Sequence, residues 1–534
     1  MFHALSQGDE LDNRWEDHSP HEVNERTFLL PDLHNSSERT ETLRINWIQK
    51  TWKRALILNV FPVLLVILWV SVPFPSYDPN PTSDEDSAVV WSSNDSSIVN
   101  FNSSTSSITS SIPSIGIVMP IISNTSLTHL PSTPHLPPVE INFWYFLFVY
   151  YGIYNAIALL LITKIFDLYS LNWWPKWLGG VFAYTVFWLL SLTLGVFIYL
   201  FTGLEKYTLT WVLLTFLTMA MPLLVAFIVI RSQNRNIYRH SLTLAQKTFL
   251  ERQLQYRIPS SYLRFLWFCS ALSIALFALI AGEGYAYVFL SSLPHNGWDG
   301  LIYVYSWVAT IYIFDSLTDY IIETRIKSYP LSSIFKLYFF MIYFIFYRNL
   351  FARLRSWNQF FIVQLANMLW VCIFYPLCMT RVVYMGLVYF AGVTKTYDQY
   401  KKHLGRSFFL RNLAENATML GFLCWVVILH FGPNKRAYPY FQFDDGNEYN
   451  INLTVKASFG VWISELTSSY ITRHIFRRVF KHSVSEEAVK DFEMYPETIV
   501  TMILVIIHVL QDMLLATLKL NFEGGNSAMP VPHA

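Results

Sequence analysis

Two carboxylates stand inside an otherwise apolar stretch of the chain, which reads IFDSLTDYIIETR. Asp315 and Asp319 are four residues apart, so a helix places both on one face. Buried together, they repel each other, and they persist only by binding a cation, by pairing with Arg or Lys, or by holding a proton. Ser316 and Thr318 add oxygen atoms nearby. One alternative stays open: Asp319 lies solvated at the helix end, and only Asp315 is buried.

Five other ionisable residues also fall inside apolar runs. They are Glu283, Arg381, Glu465, His508 and Asp512. A charged group at the centre of a membrane-spanning helix costs roughly 2.5–3.5 kcal/mol on insertion scales, so each of these residues is a candidate for function. We predict no metal site and no cofactor, because acidic runs such as Asp84–Asp86 lie in polar, Ser-rich sequence. Loops typical of nucleotide-binding proteins, serine hydrolases and zinc proteases are missing, which argues against an enzyme.

The elements that carry these residues are apolar and long. Of 534 residues, 53% are hydrophobic and 14% charged, against roughly 25% charged in soluble domains. About 20 apolar residues are needed to cross a bilayer as a helix. The chain therefore predicts an all-α integral membrane protein, a polytopic helix bundle with about 10–11 transmembrane helices. The predicted spans are 54–72, 141–164, 177–202, 209–230, 263–290, 300–322, 331–348, 359–390, 413–431, 457–479 and 496–520.

Basic residues set the predicted orientation. Lys50, Lys53 and Arg54 precede the first run, which we interpret as an uncleaved signal anchor behind a cytosolic N-terminus. The loop 73–140 contains no Lys or Arg and is rich in Ser, Thr and Pro, as expected for a disordered extracytosolic loop. Sequons in this loop and in a later outer loop predict N-glycosylation in a eukaryotic secretory pathway. The acceptor residues are Asn94, Asn102, Asn124 and Asn452.

The resulting organisation has five parts. We predict a largely disordered cytosolic tail, the signal anchor, the glycosylated loop, the multi-span bundle and a short C-terminal tail. Their bounds are 1–53, 54–72, 73–140, 141–520 and 521–534. One connector, 349–358, carries Arg353 and Arg355 on the side predicted to be outside. Either these charges lie on an exposed helix end, or 331–348, which Lys336 interrupts, is re-entrant and 359–390 breaks near Pro376.

Depth follows from about 1.5 Å of rise per helical residue. Asp315 and Arg381 fall in the inner half of the membrane, so we predict an ion pair between them. The remaining acids fall in the outer half with His508 near the middle, an arrangement suited to a proton or cation path. The outer acids are Glu283, Glu465 and Asp512. We assign Lys164, Glu415 and His430, at span ends, to the interface.

Small residues recur along the fifth predicted span. Ala271, Ala275, Ala278 and Gly282 follow roughly helical spacing, and such a stripe lets two membrane helices approach closely. We predict that it serves packing. The four cysteines, at 269, 372, 378 and 424, all fall within apolar runs, so no disulfide framework is expected.

The stretch from Ser306 to Tyr320 resembles a segment of the membrane domain of phosphate exporters that carry an N-terminal phosphate-sensing domain. The resemblance covers about fifteen residues: Asp315, Asp319 and the aromatic Tyr320 that follows them. The 53 residues before the first span are too short for such a sensing domain. The resemblance implies phosphate as one substrate to test.

Three functions fit these patterns. The first is a transporter or channel for a small ion or charged solute, coupled to protons or cations through intramembrane carboxylates. The second is a receptor or sensor whose basic inner connectors bind a cytosolic protein. The third is a membrane-embedded lipid or sugar transferase. A lipid bilayer is the expected partner in each case, self-association is allowed, and no nucleic acid is expected. The membrane is either the plasma membrane or that of a secretory organelle.

Overall fold

The computed structural model describes ten stretches of the chain. They are 51–77, 140–169, 178, 180–240, 260–291, 297–326, 328–351, 357–391, 396–441 and 451–522. The predictions for the N-terminal tail, for Asn94, Asn102 and Asn124, for Arg353 and Arg355 and for the C-terminal tail lie outside these residues.

Helices make up almost all of the described chain, as predicted. Six are continuous and long: α3 Val181–Phe201, α4 Thr208–His240, α5 Ser260–Ser291, α7 Tyr329–Phe351, α10 Tyr397–Phe431 and α11 Ile451–Arg478. Four others contain or end in a π-helical turn, namely α1 (51–71), α2 (143–169), α6 (297–326) and α8 (357–378). The remaining three are α9 Arg381–Ala391, α12 Val484–Met494 and α13 Glu497–Thr517.

Eight of the helices are long and apolar enough to cross a membrane. They are α1, α2, α3, α4, α5, α7, α10 and α13. The helical form satisfies every backbone polar group within the segment, which an apolar bilayer requires. α6 and α11 are also long, but their polar and charged residues place them outside this set. Two of these residues, Asp315 of α6 and Glu465 of α11, are buried against other helices.

The run 359–390 does break, but 331–348 is not re-entrant. α8 ends at Cys378, and α9 leaves it at an angle of 73°. Two carbonyls freed at the break accept hydrogen bonds from α10: Tyr400 donates to Cys378 O (2.9 Å) and Tyr397 to Met379 O (2.8 Å). α7 is one uninterrupted helix. The sequence could not separate these cases, because neither the partner hydroxyls nor the burial of Lys336 is visible in it.

α7 lies at the centre of the bundle. From Leu331 to Arg348 every side chain is buried except the half-buried Tyr338. It packs on α5, α6, α10 and α13. A helix that is apolar nearly all round must be covered on all sides. The opposite case is α3, where large apolar side chains such as Phe182 (83% exposed) face outward, as expected of a lipid-facing helix.

The two ends of the bundle are distinct. At one, the sheet end, β1 (Ser76–Tyr77) pairs antiparallel with β2 (Glu140–Ile141), and Ile141 N donates to Asn521 O at 2.7 Å. Asn434, after α10, receives the Phe74 N–H at 2.9 Å. These contacts gather the ends of α1, α10 and α13 with the start of α2.

The other end, the α12 end, is held by charges. Arg406 of α10 makes two hydrogen bonds to Asp491 of α12, at 2.7 and 2.9 Å. The Arg406 guanidinium also lies 3.7 Å from the ring centre of Tyr329, at the start of α7. Arg264 of α5 donates to Ile326 O, at the end of α6, at 2.9 Å. α6 therefore ends, and α5, α7 and α10 begin, at the α12 end.

Candidate functional site

A buried lysine joins the two predicted carboxylates. Lys336 Nζ of α7 lies 2.8 Å from Asp315 Oδ2 and 2.5 Å from Asp319 Oδ2, both on α6. Ser332, one turn before the lysine, donates to Asp319 Oδ1 at 2.8 Å. All three ionic side chains are at least 86% buried. We call Asp315, Asp319 and Lys336 the lysine triad.

Asp315 and Asp319 lie on one face of α6, and of the three predicted alternatives the structure shows pairing with a basic side chain, although Lys336 takes the place of the predicted Arg381. Arg381 is exposed at the first residue of α9, with its guanidinium 5.4 Å from the Tyr397 ring centre. The break after α8 turns it away from α6. Asp319 is also buried, so it is not a solvated end residue. Lys336 was visible in the sequence only as an interruption of an apolar run.

A histidine lies between the lysine triad and the surface at the α12 end. His403 of α10 lies with Nε2 3.9 Å from Asp319 Oδ2 and Nδ1 3.7 Å from Glu323 Oε1. Its side chain is 29% exposed, against 14% for Asp319. The triad is therefore one side chain away from the surface at this end.

A second charged network lies farther along α7. Arg348 donates to both oxygens of Glu465 on α11, at 2.7 and 2.6 Å, and both side chains are almost fully buried. Asn367 of α8 bridges onward, since its amide is 3.5 Å from Glu465 and its oxygen accepts from Arg411 at 3.1 Å. Arg411 also pairs with Glu415 at 3.1 Å. We call these five residues the arginine network.

The arginine network corrects one assignment and adds residues that were missed. Glu415 is buried in the bundle, not at the interface. Glu465, a predicted pathway candidate, is a member, but neither Arg348 nor Arg411 was singled out. Both stand at the edge of an apolar run, where basic residues normally mark the membrane surface. Arg411 had a local signal, since Glu415 follows it by four residues, but the partner of Arg348 lies on another helix and sequence does not show which helices are neighbours.

A small cavity lies between the two networks. Its walls are Val308, Ile311, Tyr312, Phe340, Tyr343, Trp370 and Arg411. Ile311 lies one turn before Asp315, and Phe340 lies one turn after Lys336. Tyr312 and Tyr375 hydroxyls meet at 3.2 Å beside it. Arg411 therefore faces a cavity whose other end is one helical turn from the lysine triad.

The remaining predicted acids and the histidine form a separate group. His508 and Asp512 of α13 are buried, with Nε2 and Oδ2 3.6 Å apart. Tyr154 of α2 donates a hydrogen bond to Asp512 Oδ1. Glu283 of α5 is half-buried and interacts electrostatically with Asp512. His508 and Asp512 therefore belong to neither the lysine triad nor the arginine network.

Two other predictions concern modification and metals. Asn452 is exposed in the first turn of α11, where a sequon is accessible. Within the described stretches, no group of three or more His, Cys, Asp or Glu side chains is arranged to hold a metal ion.

Comparison with known proteins places the chain among fungal sequences. A family model described as SPCC553.12c matches residues 40–518. A protein of Schizosaccharomyces pombe named "Uncharacterized protein C553.12c" is 39% identical over 392 residues, which cover 72% of this chain and 75% of that protein. No solved structure matches the chain. The matched range of the family model contains both charged networks and the His508–Asp512 pair.

Proposed function

The chain belongs to the SPCC553.12c family, and from its charged networks we propose that it is a membrane transporter or channel for a small ion or charged solute. The lysine triad and the arginine network are the polar positions along the proposed path. The cavity between them is its narrow, closed section.

The observation that carries this proposal is the lysine triad. Two carboxylates and one ammonium group leave an excess of one negative charge when all three are ionised. Burying such a set without full compensation is costly, and replacement of buried ion pairs by apolar side chains often stabilises a protein. Charges kept in the interior of a membrane protein are typically those that bind or pass ions. The triad can exchange partners with an entering ion because Lys336 already divides its contacts between two acids.

The position of the arginine network supports a path rather than an isolated site. Arg348 follows Lys336 by twelve residues on α7, or about 18 Å along the helix. Arg411 reaches back from that network into the cavity above the triad. An ion leaving the triad would therefore meet the cavity and then a second charged layer. A receptor has no need of two such layers in its interior.

The proposal includes eleven crossings with a cytosolic N-terminus. α6 and α11 cross as well as the eight more apolar helices, and α8 crosses with α9 as its bent end. Their charges are tolerated because they are paired inside the bundle and do not face lipid. The α12 end then faces the cytosol and the sheet end faces the lumen or exterior.

Flux through liposomes tests the proposal directly. Purified full-length protein would be reconstituted with reporters sensitive to pH, membrane potential and phosphate. We expect flux from the native chain and, for Asp315→Asn, a fall to the level of protein-free liposomes, since the variant removes one contact of Lys336. The matched control is Asp398→Asn, whose side chain is 81% exposed at the start of α10.

Two results would count against the proposal. Equal flux from Asp315→Asn, with the variant shown to be folded by size-exclusion chromatography, would remove the triad from the path. No flux across a broad panel of ions from folded native protein would favour the receptor reading. The next step would then be a search for cytosolic proteins that bind the basic connectors between the helices.

A further inference from the structure

A histidine–aspartate pair lies in the bundle on the opposite side of α7 from the lysine triad. Asp512 and His508 are one turn apart on α13 and at most 3% exposed. The ring of Tyr154 stacks on His508, with centres 5.5 Å apart, while its hydroxyl donates to Asp512. One carboxylate oxygen is thus engaged by a tyrosine and the other faces an imidazole.

The charge of this pair is balanced only by a proton. Within the described residues, Asp512 has no ion pair with Lys or Arg, in contrast to Asp315, Asp319, Glu415 and Glu465. Ionised Asp512 beside neutral His508 would be a net negative charge in a low-dielectric interior, which is strongly disfavoured. Protonated Asp512 with neutral His508, or ionised Asp512 with protonated His508, is neutral overall. Both neutral forms hold one proton more than the charged form.

The groups around the pair do not supply another counter-charge. Three titratable side chains on other helices lie near the pair: Tyr154 of α2, Glu283 of α5 and Tyr338 of α7. Glu283 carries the same sign as Asp512, so it opposes ionisation. The described residues of α1, α4, α10 and α12 contribute no ion pair to Asp512.

Buried polar atoms without a protein partner surround the same turn. The Asn155 amide is fully buried, and neither its oxygen nor its nitrogen is hydrogen-bonded. Gln511 Oε1 and His508 Nδ1 are likewise without a partner, although both side chains are at least 98% buried. Buried polar atoms without a hydrogen bond are rare in protein interiors, because each one lowers the folding stability by about 1–3 kcal/mol. They provide acceptors and donors through which a proton can arrive and leave.

α7 connects this pair with the lysine triad. Lys336 points to α6, and Tyr338, two residues on, is turned by about 200°. Tyr338 donates to Ala275 O of α5 at 3.2 Å. A movement of α7 that changes the contacts of Lys336 therefore also changes the contacts of Tyr338.

We propose that Asp512 and His508 hold one exchangeable proton and form the proton-coupling site of the transporter, separate from the lysine triad. The proposal rests on the transport function argued above. Uptake forms one O–H bond at Asp512 or one N–H bond at His508, with the proton taken from water on one side of the membrane. Release breaks that bond and returns the proton to water on the other side. No electrons are transferred.

Infrared spectroscopy tests proton binding without requiring transport. A pH step applied to purified full-length protein in lipid should produce a band from a protonated carboxyl group where Asp512 takes up the proton, or from a protonated imidazole where His508 does. Absence of both bands would overturn the proposal. We expect the carboxyl band to disappear in Asp512→Asn and to persist in the surface control Asp398→Asn. Tyr154→Phe should shift the band, because it removes the hydrogen bond to the carboxyl group while keeping the ring on His508. This variant also serves if Asp512→Asn does not fold.

Flux measurements then test the coupling. In liposomes, a pH gradient should drive solute accumulation by the native protein, whereas Asp512→Asn should retain only downhill flux. Accumulation and the carboxyl band both unchanged in folded Asp512→Asn, or an unshifted band in Tyr154→Phe, would overturn the proposal. A band that depends on Asp512 in a protein with no flux would keep the proton site and reject the transport function, so the two failures are distinguishable.

Discussion

At the residue scale, buried charge is handled in two ways in this molecule. Asp315, Asp319 and Glu465 each contact a basic side chain supplied by α7. Asp512 meets only a histidine and a tyrosine. Pairing with a fixed cation favours the ionised form of a carboxylate, whereas burial without a cation favours the protonated form. The first kind suits a binding position for a charged solute, and the second suits a coupling ion.

Breaking the Arg348–Glu465 pair should be severe. Glu465→Gln leaves the Arg348 guanidinium fully buried without its two charged hydrogen bonds, and removing one partner of such a pair costs about 3–5 kcal/mol. We expect a lower midpoint in denaturant titration of purified protein, and no comparable change for the exposed Glu493→Gln.

The double variant Arg348→Met/Glu465→Leu separates stability from function. Replacing both charges by apolar groups should recover most of the lost stability, because no unpaired charge remains. Flux should nevertheless stay reduced if the arginine network lies on the path. Recovery of stability together with full flux would assign this pair a structural role only.

At the element scale, α7 is the central helix, against which α5, α6, α10 and α13 pack. It presents Lys336 to α6, Tyr338 to α5 and Arg348 to α11. The predicted small-residue stripe on α5 is confirmed as a packing surface: Ala271, Ala275 and Ala278 are buried, and Phe346 of α7 covers Gly282. The close approach of α5 therefore covers one face of α7.

Gly282→Ala should loosen this contact. An added Cβ would lie 2.2 Å from Phe346 Cε2, so the ring or the helix must move. Overpacking of this kind costs typically 1–3 kcal/mol. Gly284→Ala is the matched control, because a Cβ there meets nothing within 4 Å. Thermal unfolding in detergent would show the difference, and Phe346→Leu should partly restore Gly282→Ala. Equal midpoints for the two glycine variants would contradict the close packing.

At the scale of the whole molecule, the two ends assign a direction to most helices. α10 begins beside Asp491 at the α12 end and finishes beside Asn434 at the sheet end. α13 follows α12 and ends where Lys519 N donates to Ala437 O at 2.9 Å. The eleven crossings proposed above would therefore take the chain from one end to the other an odd number of times.

Glycosylation mapping tests this topology in any secretory membrane. An acceptor sequon added after residue 534 should be modified, because an odd number of crossings places the C-terminus on the side of Asn94, Asn102 and Asn124. One added before residue 1 should remain unmodified. Loss of native glycans in the variant that carries Asn→Gln at 94, 102, 124 and 452 provides the reference. An unmodified C-terminal sequon would instead indicate an even number, such as eight.

The helical fold and the positions of most helices long and apolar enough to cross a membrane could be predicted from sequence alone, for a physical reason. Crossing a bilayer requires about 20 consecutive apolar residues, and that requirement is local, so each span can be read from its own residues. The need of Asp315 and Asp319 for a cation is also local, since it depends on one helix face. Polar loops and basic connectors predict an orientation on the same local grounds.

Only the tertiary structure decided which charges meet. Lys336, not Arg381, neutralises the aspartates, because α8 breaks after Cys378 and α7 packs against α6. In the sequence, Arg411 and Glu415 lie at the charged edge of an apolar run, a position typical of the membrane surface. In the structure both lie within α10, and their side chains are buried in the core. Pairing depends on which helices are neighbours and on their rotation. Those are set by packing across the whole bundle and leave no mark on any single segment.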